Sequence, residues 1–171
     1  MIKIDISGMA DGEYEFDFKT PVSNVECSFE EFYGDIALNV IVRKLGLRYN
    51  LKVSAQVMAR MECDRSLKDF EESISCKFDL VYKADTRLFI ESGKHSENDK
   101  EIIIREDYKY IDISQEVIEF LALELPMKRL APEYRDKEID EIFPEIAPGR
   151  IKREGDPDDE RWSKLKNIKL N

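Results

Sequence analysis

The sequence predicts an α+β domain, mainly antiparallel β: a twisted antiparallel meander, either an open sheet or a partial barrel, covered by one core helix. A charged C-terminal tail ending in an amphipathic helix is predicted to follow it. Three observations carry this expectation. Between Gly34 and Lys83 the apolar residues recur at every second position, the period of a strand with one wet face. Between Asp112 and Pro126 the spacing lengthens to three and four, the mark of one helix face. Past Met127 the apolar content thins and prolines interrupt what remains. The predicted division is a β-rich core domain at residues 1–127 and a tail at residues 128–171.

Taken in order, Ile2, Ile4 and Ile6 alternate with Lys3, Asp5 and Ser7, and Tyr14, Phe16 and Phe18 alternate with acids and Lys19. The turn residues of "GMADGE" lie between these two runs, so they are expected to pair as a hairpin. In "SFEEFY", Ser28 stands three residues before Glu31, a capping-box spacing that predicts one short helix. Ile36, Leu38, Val40 and Val42 form the next alternating run. From Tyr49 to Cys63 every odd position is apolar, while the even positions are polar apart from Met58. "DRSLKDFEES" then turns the chain into Ile74, Cys76, Phe78, Leu80 and Tyr82. These runs predict antiparallel strands with one solvated face.

Residues 91–100 are polar and charged and read as a loop. Ile102, Ile103 and Ile104 suggest another short strand. In "DISQEVIEFLALELP", Val117, Ile118, Leu121 and Leu125 share a helical face with Phe120 beside it, and Asp112 or Ser114 can cap the start. Pro126 ends this helix, because the residue before a proline is pushed out of the helical region. In the tail, Pro144 and Pro148 interrupt the apolar spacing of "IDEIFPEIAPGR". The terminal helix is expected at about 157–169, with Asp156 as N-cap, Pro157 at the first helical position, and lysines in the last turn. Its apolar stripe is narrow: Trp162, Leu165 and Ile168. A helix this short is marginal by itself in water, so it needs a surface: its own domain, a second copy, or a partner.

The chemistry the residues exclude is as informative. The chain holds three cysteines without a CxxC pair, and one histidine, His95, within "ESGKHSENDK". Reduced thiols are expected, with Cys76 packed on an apolar strand face. No nucleophile-and-base constellation and no phosphate-binding glycine loop is written here. No catalytic residue, no cofactor, no metal and no small-molecule substrate is therefore expected. No apolar run of about 18 residues is present, and the opening residues resemble neither an export signal nor a transit peptide. A cytoplasmic protein with no membrane partner is the expectation.

Of the net charge of −10, residues 1–33 carry −6, residues 34–90 carry +2, residues 91–127 carry −6, and residues 128–171 balance at zero. An acidic N-terminal third repels phosphate, so any RNA contact falls to the middle of the chain or to the tail. The candidate interaction residues there are Arg60 and Arg65 around the long strand and its turn, the pair Lys128 and Arg129, the group Arg150, Lys152 and Arg153, and Trp162. For Arg60 and Arg65 the competing account is cross-strand ion pairing worth a fraction of a kcal/mol.

"RMECDRSLKDFE", an acidic loop, "YIDISQEVIEFLALELPMKRL" and a closing "DPDDERWSKLKNIKL" come in an order and spacing that resemble the YceD family of large ribosomal RNA subunit accumulation proteins, over roughly residues 55–169. The resemblance implies a bacterial cytoplasmic protein needed for normal accumulation of 23S rRNA, with no enzymatic activity established for the family. It implies as partner ribosomal RNA, a basic large-subunit ribosomal protein, or both, and leaves a homodimer open. Family members often carry cysteine pairs that look like a zinc module. Here Cys63 matches the first cysteine of such a turn, but Ser66 stands at the second, and the cysteines that often follow the "LPM" helix are absent. One thiolate does not hold a tetrahedral zinc ion, so no structural metal is expected. Two other readings stay open from the residues alone. One is a metal-dependent nuclease or hydrolase using acids such as Asp158 and Asp159; the other is an interaction module unrelated to RNA.

Overall fold

The structure, a computed structural model, describes residues 1–26, 29–92, 101–137 and 141. The chain divides into Met1–Arg129 and Leu130–Asn171. The first unit is built on an open five-stranded sheet. Its strands are β2 (Gly12–Pro21), β3 (Phe32–Leu45), β4 (Arg48–Glu62), β5 (Asp69–Ala84) and β6 (Ile102–Ile104), in that spatial order. A separate two-stranded ladder joins β1 (Lys3–Asp5) to β7 (Tyr110–Asp112). Among the described residues of this unit, two α-helices accompany the strands, α1 (Thr86–Ser92) and α2 (Ser114–Leu123). The α+β class, the open sheet and the core helix of the sequence reading are all present.

The period-two runs fold as their spacing requires. Along β4 the odd positions from Tyr49 to Met61 are buried and the even positions face water or are half-buried. β3, β4 and β5 pair antiparallel, so that Leu38, Ala55 and Cys76 form one cross-strand row and Val40, Val53 and Phe78 the next. α2 packs on β5 and β4, burying Val117, Ile118 and Leu121. Phe120 stacks on Phe78 with ring centroids 4.0 Å apart. Burial of the Cys76 thiol in this layer pushes its pKa up to about 11, because a thiolate has no solvation there. At the start of α2 the Asp112 carboxylate accepts the Ser114 backbone N–H at 3.0 Å. The Ser114 hydroxyl instead accepts the N–H of Ile2 at 2.6 Å.

Two expectations are corrected. β1 does not pair with β2: Ile4 lies opposite Ile111, and β2 pairs with β3. Alternation identified both strands but carries no information on the partner, and the ladder to β7 buries Ile2, Ile4 and Ile111 together. The short helix at "SFEEFY" is not formed at its described residues. Glu30 and Glu31 make a turn and Phe32 opens β3, while Ser28 lies outside the described residues. Burial of Phe32 in the core outweighs a local capping preference. The sheet is mainly antiparallel, as expected, with one parallel pair that the sequence did not signal, β6 beside β5. Parallel neighbours need a crossover connection, and α1 forms part of it. That helix is itself unforeseen, although Asp85 signals it: its Oδ1 accepts the Leu88 N–H at 3.0 Å as an N-cap.

Gly46 opens the two-residue turn between β3 and β4 with φ +59, a conformation that favours glycine at the first position of a tight hairpin. Gly34, with φ +75, lies where the β3–β4 register shifts between Tyr33 and Ala37. In the second unit, Pro132–Tyr134 form a 3-10 turn closed by the Tyr134 N–H donating to the Ala131 carbonyl at 2.8 Å. The terminal helix expected at 157–169 lies outside the described residues.

Candidate interaction surface at the end of the long hairpin

The turn joining β4 to β5 is tight. The Cys63 N–H donates to the Lys68 carbonyl at 2.9 Å, and the Leu67 N–H donates to the Cys63 carbonyl at 2.8 Å. This geometry holds Leu67 at φ 55, a region non-glycine residues rarely occupy, with its side chain 73% exposed. Once the turn is fixed, the register sets what faces what across the solvent side: Arg60 lies opposite Glu71 and Glu62 opposite Asp69.

Arg60 is held from two sides. Its Nη2 and Nε donate to Glu71 Oε1 at 2.9 and 3.3 Å, and its guanidinium lies 5.2 Å from the centre of the Tyr33 ring. The hydrogen bond from Arg60, with a second from Tyr33, holds the Glu71 carboxyl below its ordinary range. The reciprocal hydrogen bond to Glu71 raises the pKa of Arg60 and of Tyr33. A carboxylate pinned low in this way stays ionised near neutrality and is a poor proton carrier.

The segment after α2 returns to the same place. Arg129 exchanges backbone hydrogen bonds with the turn: the Asp64 N–H donates to the Arg129 carbonyl at 2.8 Å, and the Arg129 N–H donates to Asp64 Oδ2 at 2.8 Å. The Arg129 guanidinium donates to Glu31 Oε1 at 2.9 Å, and the Glu31 carbonyl accepts the Arg60 N–H at 2.8 Å. Three stretches far apart in sequence therefore meet at one end of the sheet: residues 29–33, 60–71 and 127–129. Around this junction Met127 and Lys128 are exposed.

Of the residues singled out from sequence, the structure brings Arg60, Arg65, Lys128 and Arg129 to this end of the hairpin. Arg65 is half-buried in the turn, next to Asp64. Arg150, Lys152, Arg153 and Trp162 lie outside the described residues. Sequence reading missed Glu31, Asp64 and Glu71, the acids that answer the arginines. Glu71 was within reach, because a turn centred on Arg65 and Ser66 pairs positions 60 and 71. The spacing of Glu31 pointed instead to a helix cap, and Asp64 carried no signal, since nothing local tells either of residue 129.

The turn also holds the two positions named in the zinc expectation. Cys63 is buried, and Ser66 Oγ is buried with no hydrogen-bond partner. This turn itself offers one thiol, with a hydroxyl where the resemblance implies a second cysteine. Among the described residues no cluster of three or more His, Cys, Asp or Glu side chains could hold a metal ion. Among them, too, no helix is long and apolar enough to cross a membrane.

A family model described as "Large ribosomal RNA subunit accumulation protein YceD" matches residues 51–169. The match takes in β4 from Leu51 onward, β5, both helices and the returning "LPMKR" segment. No curated protein and no solved structure matches the chain. The chain belongs to the YceD family.

Proposed function

We propose, with membership of the YceD family as the premise, that this protein supports accumulation of large-subunit (23S) ribosomal RNA as a non-catalytic cytoplasmic factor, and that it does so by binding a basic large-subunit ribosomal protein. The observation that carries the choice of partner is electrostatic. At the hairpin end, Arg60 is bound to Glu71 and Arg129 to Glu31, so neither offers an uncompensated charge to a phosphate. Asp64, Glu30, Glu62 and Glu72 add further carboxylates to the same end. The chain as a whole carries −10, which repels RNA and attracts the cationic surface of a ribosomal protein. In this reading the acidic surface stands in for the RNA until the ribosomal protein is delivered to it.

Affinity capture of the tagged full-length protein, with and without nuclease, tests this. A large-subunit ribosomal protein, identified by mass spectrometry, should remain after nuclease treatment. If every ribosomal component leaves with the RNA, direct rRNA contact replaces this reading. Normal 23S rRNA levels in a deletion strain would remove the ribosomal link altogether.

A further inference from the structure

β2 stands at the outer edge of the five-stranded sheet, and among the described residues no strand pairs with its free side. Ten residues at about 3.3 Å each offer roughly 33 Å of edge. Along such an edge every second backbone N–H and C=O points outward, a template for one more strand. The opposite edge is different: β6 has three residues.

Free edges are commonly blunted by charge, and β2 carries one sign of it. Glu13, Glu15 and Asp17 are all exposed on the solvent face. The strand's single cation, Lys19, is turned to Asp35 at 3.4 Å. Asn39 Nδ2 donates to both Glu15 Oε1 at 2.7 Å and Asp17 Oδ1 at 2.9 Å. Two carboxylates thus lie side by side on one neutral amide. On the other face Tyr14, Phe16 and Phe18 lie opposite Val42, Val40 and Leu38 of β3. Deeper in the sheet these apolar rows are buried, but at β2 the aromatic rings are half-exposed, with Phe16 stacked on Phe18 at 6.2 Å.

We propose that the free edge of β2 takes up an extended basic segment of another protein as a sixth strand. Its lysines or arginines would alternate with aliphatic residues, the cations beside Glu13, Glu15 and Asp17, and the aliphatic side chains beside Tyr14, Phe16 and Phe18. Backbone pairing supplies affinity and the alternating side chains supply specificity. A second copy is the poorer occupant, because β2 against β2 sets carboxylate against carboxylate. The proposal rests on the basic-partner reading above and names the surface and the kind of segment.

The test uses the full chain and a fluorescein-labelled Val-Lys-Val-Lys-Val-Lys-Val peptide, read by anisotropy. Saturable binding is expected. It should weaken at least tenfold in the Glu15→Lys/Asp17→Lys variant, and severalfold in Glu15→Gln/Asp17→Asn, which preserves acceptors for Asn39. Circular dichroism of both variants confirms the fold. Peptides N-methylated at alternate amides, one series for each register, should divide, with one series binding and the other silent. No binding by the wild-type chain overturns the proposal, as does equal binding of both methylated series or of Val-Val-Val-Val-Lys-Lys-Lys. A dimer that the Glu15→Lys/Asp17→Lys change splits makes a second copy the occupant and also overturns it. A ribosomal protein retained after nuclease while the peptide fails would sink the edge proposal alone. Peptide binding with no ribosomal protein retained would sink the functional reading instead.

Discussion

On one face of the β4–β5 hairpin, Val53, Ala55, Val57, Ile74, Cys76 and Phe78 are closed off under α2 and its neighbours. On the other face, Arg60, Glu71 and Tyr33 tie one another down in contact with water. The same two strands thus carry two kinds of interaction, and the contrast separates what holds the fold from what shapes its surface. Apolar burial is worth about 25 cal/mol per Å² and is not screened by counter-ions. An exposed ion pair gives at most about 1 kcal/mol, and screening erodes it.

The largest test of this contrast is Leu121→Ala. Leu121 is fully buried on the sheet-facing side of α2, so its loss should cost about 2–5 kcal/mol in urea unfolding. A value below about 1 kcal/mol would mean that the helix does not close the core. Next comes Tyr82→Phe. The Tyr82 hydroxyl donates to Glu116 Oε1 at 3.3 Å, and burial, reinforced by Glu116, pushes the phenol far above its ordinary range. The other Glu116 oxygen is buried without a partner. Removing the hydroxyl should cost about 1–2 kcal/mol, and alkaline absorbance titration should show one fewer tyrosine that ionises only on unfolding.

On the wet face effects should be smaller. Arg129→Ala removes the half-exposed pair with Glu31 and should cost about 0.5 kcal/mol, while the backbone bonds to Asp64 survive. A loss above about 2 kcal/mol would make that junction part of the core. The smallest effect belongs to Glu71→Gln. The Glu71 carboxyl is depressed in the folded protein from 4.5 by Arg60 and Tyr33, so its contribution is present above the unfolded value and fades as pH falls through the folded one. The wild type should therefore lead the variant slightly at pH 7 and lose that lead in acid. A lead that widens in acid would reverse the sign of the coupling.

What the sequence made legible follows the same division. β3, β4, β5 and α2 announce themselves because burial imposes a period of two or of three and four, and Cys76 falls where that period puts it. The partner of β1 was not legible, because Ile2, Ile4 and Ile6 would alternate equally well against any strand. Glu31 misled, since a capping-box spacing is local while its contact to Arg129 spans 98 residues. Arg60 was legible as a surface charge, and its partner Glu71 became so only with the turn position. The parallel pairing of β6 leaves no trace in three isoleucines, because their neighbour β5 is defined by the crossover and not by composition.

The ladder between β1 and β7 has a temporal side. The Ile2 N–H finds its acceptor, the Ser114 hydroxyl, 112 residues away. During synthesis at about 5–20 residues per second, the isoleucines of the first strand wait on the order of ten seconds before their own neighbours exist. Only late in that interval, once Ala84 has been made, can β2 to β5 assemble, leaving a greasy N-terminal ribbon to be sheltered by whatever stands nearest to the emerging chain.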